Sequence, residues 1–196
     1  MNVIGLCGGS GSGKGAVSKI FLEIGIPSID TDAVYREMTL SDSPCMRALA
    51  AEFGDEVVNC QGGLDRARLA SIVFNDPLRL EKLNKIAHSF ILDETRRRLA
   101  VYGDEGYPCS IVDAPVLFES GFDNECDEII CVVADREIRT CRIMSRDRIS
   151  RDAAEKRIAS QMPDEMLISK CDYVIYNNSD IEVLREQILS LKSKLI

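Results

Sequence analysis

A lysine set among glycines is the first group in this chain whose residue types and spacing can do chemistry. Residues 8–15 read Gly8-Gly9-Ser10-Gly11-Ser12-Gly13-Lys14-Gly15, directly after the apolar Val3-Ile4-Gly5-Leu6. This follows the pattern G-x-x-x-x-G-K-[ST] at every position but the last. Backbone N–H groups of such a turn wrap a polyphosphate, and the lysine ammonium reaches the outer phosphates. The last position normally gives a hydroxyl to Mg²⁺; here Gly15 has none to give. A glycine-rich strand-to-helix turn that holds no phosphate is the plainer reading, and Lys14 in place with the right flanks makes it the weaker one. The residues expected at the nucleotide are Gly8, Gly9, Gly11, Ser12, Gly13, Lys14, Gly15 and Ala16.

Two carboxylates fall where a phosphate-binding turn could use them. Asp32 lies just past the short run Pro27-Ser28-Ile29-Asp30. A carboxylate there can take the proton of a hydroxyl that attacks a γ-phosphate. Its structural alternative is an N-cap for a helix beginning near Ala33, a role that Asp30 or Thr31 could also fill. Asp113 closes Cys109-Ser110-Ile111-Val112-Asp113 and is expected to hold a Mg²⁺-bound water, with a structural hydrogen bond as the alternative. His88 is the chain's single histidine and sits in a helical stretch, where substrate contact and a plain structural role both remain open.

Arginines supply the complementary charge. Residues 136–157 hold seven arginines and Lys156 against Glu137, Asp147, Asp152 and Glu155, a local +4 in a chain that totals −8. Arg139, Arg142 and Arg146 fall on one helix face. Alone this reads as a solvated basic helix. Downstream of a phosphate-binding turn, it reads better as a mobile lid that excludes water and stabilises charge.

The elements that must position these groups are legible as short apolar runs without alternation, separated by helical stretches. Runs at about 2–7, 27–30, 109–113, 128–133 and 173–176 predict a five-stranded parallel sheet with helices on both faces. Val17, Ile20, Phe21 and Ile24 predict an amphipathic helix after the turn, ending near Gly25. Residues 34–105 break the rhythm and look mostly helical, which suggests an inserted substrate-holding region. Ligands should gather at the carboxyl ends of the strands. With 196 residues, 45% of them hydrophobic, the chain can bury a sizeable core. Its acidity makes the surface as a whole a poor partner for nucleic acid or membrane. No apolar run approaches the length of a membrane span. The N-terminus opens on a strand, without the regions of a signal peptide. Eight cysteines without a C-x-x-C pair suggest neither a zinc ribbon nor a thioredoxin-like motif, and Cys7, Cys109 and Cys131 read as small buried hydrophobes. A reducing cytosol is the expected setting.

Taken in order, these motifs resemble the dephospho-CoA kinases over nearly the whole chain. The resemblance rests on Gly5-Leu6-x-Gly8-Gly9-x-Gly11-Ser12-Gly13-Lys14, on Asp30-Thr31-Asp32 followed by Arg36, on Gly63-Leu64-Asp65-Arg66, and on Leu83-Asn84 with His88. It continues through Pro115-Val116-Leu117-Phe118-Glu119, Arg142 with Arg146-Asp147, Arg157-Ile158 with Ser160-Gln161-Met162, and Asp172, Ile175 and Asn177. It implies ATP-dependent phosphorylation of the ribose 3′-hydroxyl of dephospho-CoA, with ATP as co-substrate and Mg²⁺. The implied body is an α/β, P-loop NTPase-type three-layer fold with a core (about 1–33, 106–134 and 172–196), a helical CoA region (about 34–105) and a lid (about 135–160). Asp32 is then the expected base, with Lys14, Arg142 and Arg146 also catalytic. Asp32, Arg36, His88 and Leu117 fall on the substrate side. No obligate protein partner is implied. The chain departs from the family pattern at Gly15, at Ser89 where Pro is common, at Arg148 where a small residue is usual, and at Leu167 where Lys is usual. The alternatives are a P-loop kinase of another small hydroxylated metabolite, such as a nucleoside or a shikimate-like acceptor, and a non-catalytic nucleotide-binding relative. The absence of Asn-Lys-x-Asp speaks against a GTPase.

Overall fold

A central strand with parallel neighbours on both sides organises the computed structural model, which describes residues 1–196. The strands are β1 (Asn2–Cys7), β2 (Ser28–Asp30), β3 (Cys109–Asp113), β4 (Glu128–Val133) and β5 (Tyr173–Tyr176), in the order β2-β3-β1-β4-β5. β1 pairs with β3 so that Leu6 faces Asp113, and with β4 so that Cys7 faces Cys131. The chain runs from β1 out to β2 on one side and later crosses from β3 to β4 on the other, so the carboxyl end of β1 lies at the switch point at which α/β sheets bind ligands. The turn Gly8–Gly13 emerges at that end.

The strands lack alternation because both of their faces are covered. All five residues of β3 are buried, as are the last five of β4. On one face Ile4, Leu6, Ile111, Ile130 and Val132 meet Val17, Ile20 and Phe21 of α1 (Lys14–Glu23). Leu184, Ile188, Leu191 and Leu195 of α9 (Ile181–Leu195) close the same core. Each such side chain, fully buried, contributes roughly 1.5–3 kcal/mol. Asp180 caps α9 by accepting from Glu182 N and Val183 N. α1 stops at Glu23, with Gly25 just beyond at φ 86°. That left-handed residue is what ends a helix cheaply.

The chain divides into two compact units, Met1–Ile29 with Leu99–Ile196, and Asp30–Arg98. The second unit holds α2 (Thr31–Met38), α3 (Pro44–Phe53), α4 (Arg66–Val73) and most of α5 (Pro77–Asp104). Its own core gathers Cys45, Met46, Leu49, Phe53, Val57 and Leu64. Ser43 caps α3 by accepting from Met46 N at 3.0 Å, with Pro44 in the first turn. The Gly63-Leu64-Asp65-Arg66 motif is accounted for within this unit. A Cβ on Gly63 would lie 2.4 Å from the Leu40 carbonyl oxygen, Leu64 enters the core, and Asp65 caps α4. Arg66 donates to Thr39 Oγ1 at 2.9 Å and lies over the Tyr35 ring at 5.4 Å.

In the first unit, α6 (Arg136–Asp147) and α7 (Arg151–Ala159) follow β4 and carry the basic segment, and α8 (Asp164–Ile168) precedes β5. Arg148, between α6 and α7, adopts φ 54° and is the one non-glycine residue with positive φ. Glycine, without a Cβ, takes that conformation more favourably, by roughly 1 kcal/mol. No helix is long and apolar enough to cross a membrane. All eight cysteines are free, and burial pushes the Cys126 thiol up to about 12.

Candidate active site

The glycines of the turn are dictated by what crowds it. A Cβ on Gly8 would lie 2.3 Å from the Val132 carbonyl oxygen, and one on Gly13 would lie 2.1 Å from Asn177 Nδ2. Gly8, Gly11 and Gly13 all have φ between 80° and 145°, where side chains are strained. Gly13 precedes α1 and no side chain caps that helix, so its first N–H groups have no side-chain acceptor. Gly13, Lys14 and Gly15 line one wall of a cavity of about 590 Å³, and Cys141, Arg142 and Arg146 line the other. Helix-start N–H groups that no side chain caps, beside an ammonium and guanidiniums, are an arrangement suited to an anion. The Ser12 hydroxyl is buried and makes no hydrogen bond, so Ser12 serves the turn through its backbone.

Lys14 and Asp113 are brought together. Lys14 Nζ lies 3.4 Å from Asp113 Oδ1, and the two side chains are 15% and 10% exposed. Ser18, one turn further along α1, donates to Asp113 Oδ2 at 3.1 Å and accepts from Ser28 Oγ at 3.2 Å. Position 15 offers no hydroxyl, but α1 does place one against this carboxylate. Sequence reasoning did not single out Ser18, and helical spacing from Lys14 was the signal that could have done so.

The three arginines of α6 have three different environments. Arg139 is 4% exposed and structural: it pairs with Asp164 at 2.8 Å and donates to the Ser10 carbonyl at 2.9 Å. Gln161 completes that clamp by accepting from Ser10 N at 2.8 Å and from Arg139 Nη2 at 3.2 Å. Arg142 donates to the carbonyls of Gly11 and Ser12 at 3.3 Å and to the Asn177 carbonyl at 3.1 Å. Asn177 itself donates to the Ser12 carbonyl at 2.8 Å. Arg146 is exposed at the cavity rim, with bonds to Asp147 at 2.8 and 3.0 Å and to Ser10 Oγ at 3.3 Å. Hydrogen bonds from Arg146 and Arg157 hold the Asp147 carboxyl at about 2, so it is ionised at any working pH. Gln161 and Asn177 entered the sequence reading only through the resemblance; their work is to fix the glycine turn.

The residues expected on the substrate side are placed as follows. Asp30, not Asp32, caps α2, which starts at Thr31 rather than near Ala33: Asp30 Oδ1 accepts from Asp32 N at 2.9 Å and Ala33 N at 3.1 Å. Arg36 lies 3.5 Å from the other Asp30 oxygen. The Asp32 carboxylate is exposed and has no hydrogen bond or ion pair. His88 is half-buried in α5. Leu117 is 1% exposed, close over Gly5, so its side chain belongs to the core. Its neighbours Val116, Phe118 and Glu119 line a second cavity of about 250 Å³ with Gly8, Gln161 and Leu167. Lys170, one turn past Leu167, stands 4.9 Å over the Phe118 ring.

Known proteins give the arrangement its context. A family model described as CoaE, dephospho-CoA kinase, matches residues 2–182. The dephospho-CoA kinase of Syntrophotalea carbinolica is 38% identical over 197 aligned positions, covering 100% of this chain and 93% of that protein. That of Geobacter sulfurreducens is 38% identical, covering 99% of this chain and 98% of its own. A crystal structure from Thermus thermophilus superposes with a TM-score of 0.81 at 30% identity, covering 100% of this chain and 98% of the other.

Proposed function

The chain belongs to the dephospho-CoA kinase family, and from that premise we propose how its own residues move the γ-phosphoryl group of ATP to the 3′-hydroxyl of dephospho-CoA, the last step of coenzyme A synthesis. The observation that carries the reading is the uncapped, glycine-crowded start of α1, with Lys14 facing a cavity of about 590 Å³. Residues Gly8 to Ala16 hold the ATP phosphates, and Lys14 leaves Asp113 for the outer ones. Arg142 and Asn177 keep the turn in shape. Arg146, at the rim, meets charge that spreads over the phosphoryl oxygens in the transition state. Asp32 orients the 3′-hydroxyl and takes its proton. Arg36 and His88 belong to the acceptor side. The setting is the cytoplasm.

A hard divalent cation fits the donor set. Asp113 offers a carboxylate at the carboxyl end of β3, with the Ser18 hydroxyl against it. Mg²⁺ keeps several of its waters, so Asp113 can hold it through one without a hydroxyl at position 15. When bound, Mg²⁺ neutralises the β- and γ-phosphate oxygens.

Position 15 can be tested directly. A Cβ there would meet nothing within 4 Å, and the backbone does not require glycine. Gly15→Ser is expected to keep ATP affinity and to lower the half-saturating Mg²⁺ concentration about fivefold, the worth of roughly 1 kcal/mol for one hydrogen-bond-sized contact. A Mg²⁺ titration of turnover reads this; loss of ATP binding in Gly15→Ser would reject it.

The reaction is tested by a coupled ADP assay with dephospho-CoA against a panel of nucleosides and shikimate. Turnover with dephospho-CoA, and mass-spectrometric detection of CoA, is the expected result. Turnover of another acceptor in its place would overturn the substrate assignment. ADP release with no phosphorylated acceptor would overturn the transfer itself.

A further inference from the structure

Three cysteines that phosphoryl transfer does not use meet beneath the phosphate-binding turn. Cys7 ends β1, and Cys131 is its register partner on β4. Cys171 stands between α8 and β5. The three Sγ atoms all lie within 4.8 Å of one another, and Cys7 Sγ is 3.4 Å from Cys171 Sγ. Cys7 and Cys131 are 2% and 0% exposed, and Cys171 is half-buried. Small buried hydrophobes need no such convergence of sulfurs. Five of the chain's eight cysteines do not join it.

The spacing is that of ligands around one ion. Sulfurs about 2.3 Å from a common metal stand roughly 3.8–4.0 Å apart, for tetrahedral and trigonal arrangements respectively. The Cys7–Cys171 separation of 3.4 Å lies a little below that range, and the 4.8 Å within which all three sulfurs fall leaves room for it. The donor set is purely soft, with no His, Asp or Glu in the group. A structural Zn²⁺ site takes four ligands. Thiolates alone select soft ions, Cu(I) first among those satisfied by fewer donors. Access runs through the cavity of about 250 Å³, which Cys7 and the thioether-bearing Met162 both line.

We propose that Cys7, Cys131 and Cys171 form a three-thiolate site for a soft monovalent metal ion of the Cu(I) class. Binding replaces the S–H protons, which leave to solvent, and no electron is transferred. The site ties the end of β1, at the residue that precedes Gly8, and the middle of β4 to the segment between α8 and β5. It does not rest on the kinase reading: it would stand if the acceptor proved different.

The test is an anaerobic titration of the reduced full chain with Cu(I) buffered by bicinchoninate, in a Cys60→Ser/Cys141→Ser background that removes the two exposed thiols. The expected result is one Cu(I) per chain, near-ultraviolet thiolate-to-copper absorption, and X-ray absorption showing three sulfur scatterers. Cys171→Ser in the same background should weaken binding by at least about a hundredfold, the upper end of what even an outer-shell partner costs. Cys171 lies outside the strands and is half-buried, so this variant should fold, and circular dichroism checks that it does. Cys131→Ser gives a second reading from within the sheet. Stoichiometry well below one, or unchanged affinity in a folded Cys171→Ser, would overturn the site. So would two sulfur scatterers in place of three.

Discussion

Asp32→Asn is expected to lose turnover by about 10²–10⁴-fold, the range for a positioned general base, with ATP affinity and Tm close to the parent. The 3′-hydroxyl is a weak nucleophile, and its proton must leave as the phosphoryl group arrives. Asn keeps the shape of the side chain and cannot take that proton. The competing explanation for any defect at this position was helix capping, and the structure removes it. Asp30 accepts from Asp32 N and Ala33 N, while the Asp32 carboxylate has no partner of its own. The neighbouring variant is therefore the control. Asp30→Ala should lower stability by about 1 kcal/mol, as loss of an N-cap does, and Asp30→Asn should restore most of it. Steady-state kcat, ATP affinity and thermal melting on the three proteins separate the roles. If Asp32→Asn retains most of its kcat, Asp32 is not the base, and Asp113, already tied to Lys14 and Ser18, becomes the residue to test.

The strands and the phosphate turn were legible because local chemistry fixes them. A short apolar run without alternation, bounded by turn residues, fits a strand covered on both faces, and the bounds expected for β3, β4 and β5 are those observed. Glycines at Gly8, Gly11 and Gly13 follow from a turn that needs positive φ. What was not legible depends on tertiary partners. Helical spacing puts Arg139, Arg142 and Arg146 on one face, yet one is buried against Asp164, one is bound to carbonyls and one is at the rim. The choice between Asp30 and Asp32 as cap turned on where α2 begins, a boundary that propensity fixes poorly. Leu117 sits in a motif with exposed neighbours, but which residue of a turn faces inward is set by the Gly5 gap it fills. The cysteine cluster joins residues separated by 124 and 40 positions, and only the β1–β4 register and the loop before β5 reveal it.

That divergence along α6 changes what the arginine variants should do. Spacing alone would have Arg142→Ala and Arg146→Ala behave alike. Arg142 spends its guanidinium on the carbonyls of Gly11, Ser12 and Asn177. Removing it leaves those acceptors without their charged donor, at roughly 1.5–3 kcal/mol for bonds of this type. The loss falls on the shape of the phosphate turn, so Arg142→Ala should raise the KM for ATP by about 10–100-fold and lower Tm, with a smaller effect on kcat. Arg146 touches the turn only through the Ser10 hydroxyl and is otherwise held by Asp147. An exposed guanidinium at the rim contributes little to the fold. Its charge matters where negative charge develops during transfer, so Arg146→Ala should lower kcat on the order of 10²–10³-fold while Tm and ATP affinity hold. Both arginines act on adjacent residues of one turn, so the double variant should lose less than the product of the single effects. Asp147 stays ionised well into acid, because Arg146 and Arg157 hold its carboxyl at about 2. Its tether on Arg146 is therefore constant across assay pH, and the Arg146 effect should be independent of pH from about 5 to 9. Wild-type kinetics for Arg146→Ala would make that residue part of a solvated face. A pure KM effect would make it a second clamp beside Arg142, and the charge that spreads in the transition state would then fall to Lys14.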